Sequence, residues 1–109
     1  MVIYVDIDET ICEYKDSREY PLASPILHRI KFINSLYDSG NTIVYWTARG
    51  ATTKIDWTNL TQMQLNEWGA KYHELKMNNK PNYDLLICDK AINSDSFFSI
   101  NLPDEEPSE

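Results

Sequence analysis

The run Asp6-Ile7-Asp8-Glu9-Thr10 places two carboxylates two residues apart, directly after the uncharged, β-branched segment Val2-Ile3-Tyr4-Val5. Carboxylates at i and i+2 just past a strand can point into one crevice, where their charges repel. A hard divalent cation offsets that repulsion, and oxygen ligands suit Mg²⁺. An isolated Asp-x-Asp is also what an acidic turn or a helix cap looks like. Here it has company. Thr47 ends a second apolar run, Asp89 ends a third, and Lys80 stands shortly before the third in Asn79-Lys80-Pro81. Asp89 would be a third carboxylate, completing a site of one directly ligating Asp, one backbone carbonyl and one further Asp. Three carboxylates, a hydroxyl and an ammonium at one edge are the parts phosphoryl transfer requires.

The elements that must bring these groups together follow from hydrophobic spacing. Val2–Val5, Thr42–Trp46 and 84–88 are short, continuous apolar runs, as expected of strands buried on both faces, and Tyr72–Met77 is a weaker strand. Ser24-Pro25 resembles an N-cap followed by proline at the first helical position. Ile26, Leu27, Ile30, Ile33, Leu36 and Tyr37 then recur at helical spacing up to Gly40-Asn41. A second helix is predicted over roughly 58–68, with Leu60, Met63, Gln64, Leu65 and Trp68 spaced over its turns and Gly69 as its stop. Residues 11–24 read as polar and irregular. The order β-α-β-α-β-β implies an α/β fold with a parallel sheet. In such sheets ligands bind beyond the carboxyl ends of the strands, where Asp6, Thr47 and Asp89 lie.

Composition sets the outer limits. With 109 residues, 42% of them hydrophobic, the chain suits one compact domain and leaves no room for two. The 17 acids against 10 bases, for a net charge of −7, argue against a protein that neutralises a nucleic-acid backbone. Four of the acids, Asp104, Glu105, Glu106 and Glu109, fall in a Pro-interrupted end, so residues 100–109 are expected to be a flexible tail after a domain over 1–99. The two cysteines, Cys12 and Cys88, have neither CxxC nor zinc-ligand spacing. The N-terminus lacks a basic, then apolar, leader, and no stretch is long enough to span a membrane. A cytoplasmic protein without a membrane partner is expected. No Gly-rich phosphate loop is present, since Gly40, Gly50 and Gly69 form no such pattern.

Taken in order, Val2–Thr10, Ile43–Thr47, Lys80 and Leu85–Asp89 resemble the four motifs of a haloacid dehalogenase (HAD) superfamily phosphatase. The stretch from Val44 to Phe98 is similar to the small capsule-biosynthesis phosphatases of that superfamily. It shares Thr47-Ala48-Arg49, Ile55-Asp56-Trp57, Gln64-Leu65-Asn66-Glu67-Trp68-Gly69, Lys80-Pro81 and Asp89-Lys90-Ala91-Ile92-Asn93. The resemblance implies a three-layer Rossmann-like core. It implies Asp6 as the nucleophile that forms an aspartyl-phosphate, and Asp8 as the acid that protonates the leaving alkoxide and then activates water. Thr47 would hydrogen-bond a phosphoryl oxygen, Lys80 would neutralise charge, and Mg²⁺ would be held by Asp6, Asp8 and Asp89. A crowded acidic site is expected to raise one carboxyl pKa, as the acid role of Asp8 requires. The substrate implied is a phosphorylated sugar or related intermediate of surface-polysaccharide assembly.

One departure stands at the third strand end, where these proteins usually carry two acids and this chain has Cys88-Asp89. If Asp89 matches the acid of the common Gly-Asp form, the metal ligand survives. If the first acid were the ligand, a thiol would replace it and magnesium would bind poorly. Asn93 and Asp95 are both candidates for holding metal-bound water. Arg49 could pair with a substrate phosphate or carboxylate, or form a structural ion pair. His28 and His73 read as structural. Trp46, Trp57 and Trp68 read as packing, although Trp57 could line a sugar. Cys12 and Cys88 lie near the crevice and are open to adventitious oxidation.

Only residues 11–24 separate the first strand from the first helix, enough for a flap and too few for a cap domain. The site is therefore expected to be open, admitting a large substrate or being closed by a second subunit. Two other classes fit the same parts. A receiver-like phosphoacceptor domain also uses acids, a Thr and a Lys on a parallel sheet, but it carries its phosphorylated Asp after a middle strand, which here ends in Thr47. A catalytically silent fold that binds sugar phosphates would bind without turnover.

Overall fold

The computed structural model describes residues 1–77, the backbone of 85–88 and of 92–93, the side chain of Ile87, and Phe98. Lys80, Asp89 and Asp95, the side chains of Cys88 and Asn93, and the 100–109 tail lie outside the described residues.

The strands are β1 (Val2–Asp6), β2 (Cys12–Glu13), β3 (Ser24–Pro25), β4 (Thr42–Thr47), β5 (Glu74–Met77), β6 (Leu85–Cys88) and β7 (Ile92–Asn93). The helices are α1 (Leu27–Asp38) and α2 (Thr58–Glu67), with a short 3-10 turn at Tyr20–Leu22. Five strands form one sheet in the order β5-β4-β1-β6-β7, and every neighbouring pair is parallel. The α/β fold with a parallel sheet is therefore observed.

Alternation along the central strands decides which side chains meet the helices. Ile3 and Val5 of β1 pair in register with Ile43 and Tyr45 of β4. Together with Ile87 they form a core with Ile30 and Ile33 of α1, Leu65 of α2 and Phe98. Both helices thus pack on one face. Tyr4 and Val44, on the other face, are 7% and 3% exposed, so the middle of the sheet is covered on both sides. Continuous apolar runs are what that double burial demands. Both helices end in the same way. Gly40 (φ 99°) and Gly69 (φ 76°) adopt the left-handed conformation, and Asn41 and Ala70 donate back to Leu36 and Leu65.

One local expectation is corrected. Ser24-Pro25 does not cap α1: it is β3, paired antiparallel with Cys12–Glu13, and the Ile26 N–H donates to the Ile11 carbonyl before the helix begins at Leu27. Pairing with β2 holds the chain extended for two residues longer than its helix signal suggests. Residues 11–24 are otherwise irregular, as expected, apart from the Cys12–Glu13 and Ser24 pairing and the 3-10 turn at Tyr20–Leu22. In α2 the buried residues are Thr61, Gln64 and Leu65, while Met63 is 50% exposed. The helix is turned toward a polar demand in the core, described below.

Ile33→Ala should cost about 3 kcal/mol, since it leaves a cavity in a closed core, whereas Met63→Ala should cost less than about 0.5 kcal/mol. Urea unfolding of both variants measures the difference.

Candidate functional site

β1 ends at Asp6 and pairs it with Trp46, so Thr47 at the end of β4 lies one residue further along the same edge. The sheet therefore places Asp6 and Thr47 together at the carboxyl ends of adjacent central strands. The Asp6 side chain is half-buried, and its Oδ1 accepts the Ile7 N–H at 2.8 Å.

Beyond Asp6 the chain turns back sharply. Thr10 and Ile11 both donate to the Ile7 carbonyl, the Glu9 N–H donates to the Cys12 carbonyl, and Glu9 sits in the left-handed region at φ 64°. A non-glycine residue there costs of order 1–2 kcal/mol and persists only where its surroundings enforce it. The enforcement is visible. Ile7, Thr10, Ile11 and Cys12 are all fully buried. Arg29 of α1 reaches the Thr10 carbonyl at 3.2 Å, and Cys12 Sγ lies 3.6 Å from the Ile7 carbonyl.

That turn delivers Asp8 to Arg49. The Arg49 Nη2 to Asp8 Oδ1 distance is 2.8 Å, and Nε donates to Oδ2 at 3.1 Å, a bidentate pair. Thr47 Oγ1 lies 3.3 Å from Asp8 Oδ2, Tyr14 donates its hydroxyl to Oδ1, and Cys12 Sγ is 3.6 Å from Oδ1. The Arg49 side chain is fully enclosed. Its Nη1 donates to Thr61 Oγ1 at 3.1 Å and to Gln64 Oε1 at 2.7 Å, its Nη2 also reaches the Tyr14 hydroxyl, and the guanidinium stacks 4.7 Å from the Tyr20 ring centre. All five N–H groups of the guanidinium are thus engaged inside the protein. Arg49, expected to reach a substrate anion or form a structural pair, does the second. An enclosed guanidinium must satisfy its donors, and Asp8, Thr61 and Gln64 supply the acceptors.

The electrostatics reverse one expectation. Burial pushes the Asp8 carboxyl up, but the hydrogen bonds and charge of Arg49, helped by Tyr14, outweigh it and hold Asp8 below the ordinary carboxylate range. In the free protein Asp8 is ionised, not protonated as a crowded acidic site predicts. Burial, with the Asp8 charge beside it, pushes the Cys12 thiol up to about 12. That makes the buried Cys12 a poor nucleophile, so its place near the crevice does not expose it to the adventitious oxidation that its position in the sequence allows.

Of the other residues singled out by sequence, His73 is structural: its Nδ1 accepts the Ile43 N–H at 3.1 Å and its ring stacks on Tyr37. Trp57 packs edge-on against Tyr20. Tyr14, Tyr20, Thr61 and Gln64 join the site only through the fold; the one signal for them in the sequence is Gln64, a polar side chain within the apolar spacing of the second helix.

For Mg²⁺, the Asp6 carboxylate and the Asp8 carbonyl are oxygen donors of the hard type on one turn, as the ion prefers. The Asp8 carboxylate is already committed to Arg49, Tyr14 and Thr47, so a carbonyl contact is the one its geometry suits. Among the described residues no cluster of three or more His, Cys, Asp or Glu stands ready for a metal, and Asp89, the expected third carboxylate, lies outside them.

Fold and site together define an α/β protein with an aspartate pair at the carboxyl end of the central strand of a parallel sheet. No family model and no curated protein matches the chain. A crystal structure of an MCSG target from Vibrio cholerae is similar to it, with a TM-score of 0.72 and 24% identity over 94% of this chain and 90% of that one. At that identity the likeness establishes a shared fold. No helix among the described residues is long and apolar enough to cross a membrane.

Arg49→Met should destabilise the protein by about 3 kcal/mol, because it leaves the Asp8 carboxylate enclosed without its partner. Since the folded-state pKa of Asp8 is lowered, its contribution is complete above the unfolded value of about 3.9 and is lost as the pH falls through the lower folded value. Urea midpoints from neutral to acid pH should therefore fall in wild type, with a shallower fall in Asp8→Asn. Cys12 should resist iodoacetamide in the native protein and react only after unfolding, as peptide mass mapping would show.

Proposed function

We propose that this chain is a Mg²⁺-dependent phosphomonoesterase of the HAD type that acts on a phosphorylated sugar or related intermediate. The observation that carries this reading is the placement of Asp6 at the end of the central strand, with the Asp8 carboxylate fixed one turn beyond it by Arg49, Tyr14 and Thr47. The sequence order of Asp6, Asp8, Thr47, Lys80 and Asp89 supports it, as does the short β2–β3 hairpin standing where a cap domain would otherwise be inserted.

An Asp6 carboxylate oxygen attacks phosphorus, and the bond from phosphorus to the ester oxygen breaks. The leaving alkoxide takes a proton from Asp8, and an aspartyl-phosphate remains on Asp6. Water then attacks that phosphorus, Asp8 accepts its proton, and Asp6 is released with inorganic phosphate. The ionised Asp8 of the free protein is already in the form that the second step uses. For the first step, the approach of an anionic phosphoryl group raises the affinity of Asp8 for a proton, against the pull of Arg49. Bound Mg²⁺ would supply charge neutralisation between the Asp6 carboxylate and the phosphoryl oxygens. Thr47 gives up its hydroxyl contact with Asp8 to donate to a phosphoryl oxygen, while Arg49 and Tyr14 keep Asp8 in place, and Lys80 and Asp89 have the neutralising and metal-holding roles that the sequence resemblance implies.

Hydrolysis of an aryl phosphate should depend on Mg²⁺ and be lost on EDTA treatment. Asp6→Asn should lower kcat by a factor of about 1,000 or more with the fold intact by circular dichroism. Full activity in that variant would overturn the mechanism.

A further inference from the structure

β5 is the outermost strand on its side of the sheet, and among the described residues nothing pairs beyond it. Which of its backbone groups face that edge follows from β4. Thr42 donates its N–H toward β1, to the Met1 carbonyl, while the Ile43 carbonyl accepts the His73 N–H and the Ile43 N–H reaches His73 Nδ1. The odd-numbered residues of β4 therefore face β5. In a parallel pair a residue bonds to the two that flank its register partner, so Tyr45, in register with Leu75, bonds to Glu74 and Lys76. The N–H and C=O groups of Leu75 and Met77 point outward.

An open edge is a template for another strand, and proteins commonly guard it with a charge. A lone lysine would guard it by repelling a second copy. Here Lys76 follows Glu74 by two residues on one face of the strand, and the two side chains lie 3.4 Å apart. With 38% and 56% of these side chains exposed, that local pair is weak and easily exchanged for pairs across an interface. On the opposite face Leu75 is half-buried against the core.

We propose that β5 is the edge through which two copies of this chain associate, pairing their β5 strands antiparallel about a two-fold axis at Leu75 and joining their sheets into one. Leu75 then meets Leu75 of the second copy as a hydrogen-bonded pair that exchanges both N–H···O bonds. On either side Glu74 stands opposite Lys76 of the second copy, and Lys76 opposite its Glu74, at the closer, non-hydrogen-bonded positions where opposite charges attract. The charges also select the register. An axis at Glu74 or at Lys76 would set like charges directly against each other. This self-complementarity is what an isologous contact requires, and it makes a second copy the occupant rather than a foreign extended peptide. Because the strands run antiparallel, the carboxyl edges of the two sheets point in opposite directions, and each copy leaves the Asp6–Thr47 edge of the other open. The pairing does not depend on the phosphomonoesterase reading.

A four-residue strand contact falls short of the roughly 1,200 Å² of a stable dimer, so the dimer should become populated only at high concentration. Sedimentation velocity from about 5 µM to about 1 mM, with amide hydrogen exchange at both ends of the range, tests this. Wild type should pass from monomer to dimer, and the Leu75 and Met77 amides should gain protection as it does. Glu74→Lys or Lys76→Glu alone places like charges opposite each other and should weaken association about tenfold, while the two changes together restore opposite signs and should recover it. Circular dichroism confirms that the variants keep the fold. A protein that stays monomeric throughout, a dimer indifferent to the single changes, a double change that recovers nothing, or growth past the dimer would each overturn the proposal.

Discussion

Arg49 is a charged side chain with no access to solvent, and its carboxylate partner Asp8 is 2.8 Å away. An enclosed guanidinium is tolerated only if its charge is balanced and its donors are met, because desolvating it costs several kcal/mol. That constraint propagates outward. It requires Asp8 at one end, so the chain after β1 must turn back through a left-handed Glu9. It requires acceptors at the other end, so α2 presents Thr61 and Gln64 inward and leaves Met63 in solvent. It requires a cover, which Tyr20 of the hairpin provides.

The same pair ties local geometry to stability, since holding Asp8 ionised beside Arg49 stabilises the folded protein. The strained turn at Glu9 has the same character: local cost is accepted where the position of a carboxylate matters, and the buried Ile7, Thr10 and Ile11 around it supply the compensation.

The sheet was legible in the sequence because double burial leaves a simple mark, an unbroken apolar run, and β1 and β4 carry it. The helix ends were legible because Gly40 and Gly69 occupy backbone conformations that disfavour side chains. Ser24-Pro25 misled because its local signal for a helix start is weaker than pairing with a strand eleven to thirteen residues earlier. In α2 helical spacing identifies stripes, while the choice between neighbouring ones depends on what lies opposite: Met63 faces solvent and Gln64 the core.

By itself the sequence determined the parallel α/β order, the inward-facing runs, and the gathering of Asp6 and Thr47 at one edge, since strand polarity and side-chain alternation follow from local chemistry. Only the tertiary structure decided the role of Arg49, the ionisation of Asp8, and the participation of Tyr14, Tyr20, Thr61 and Gln64. Burial and charge are properties of the assembled surroundings, and side chains 12 to 41 positions from Arg49 in the chain create them jointly.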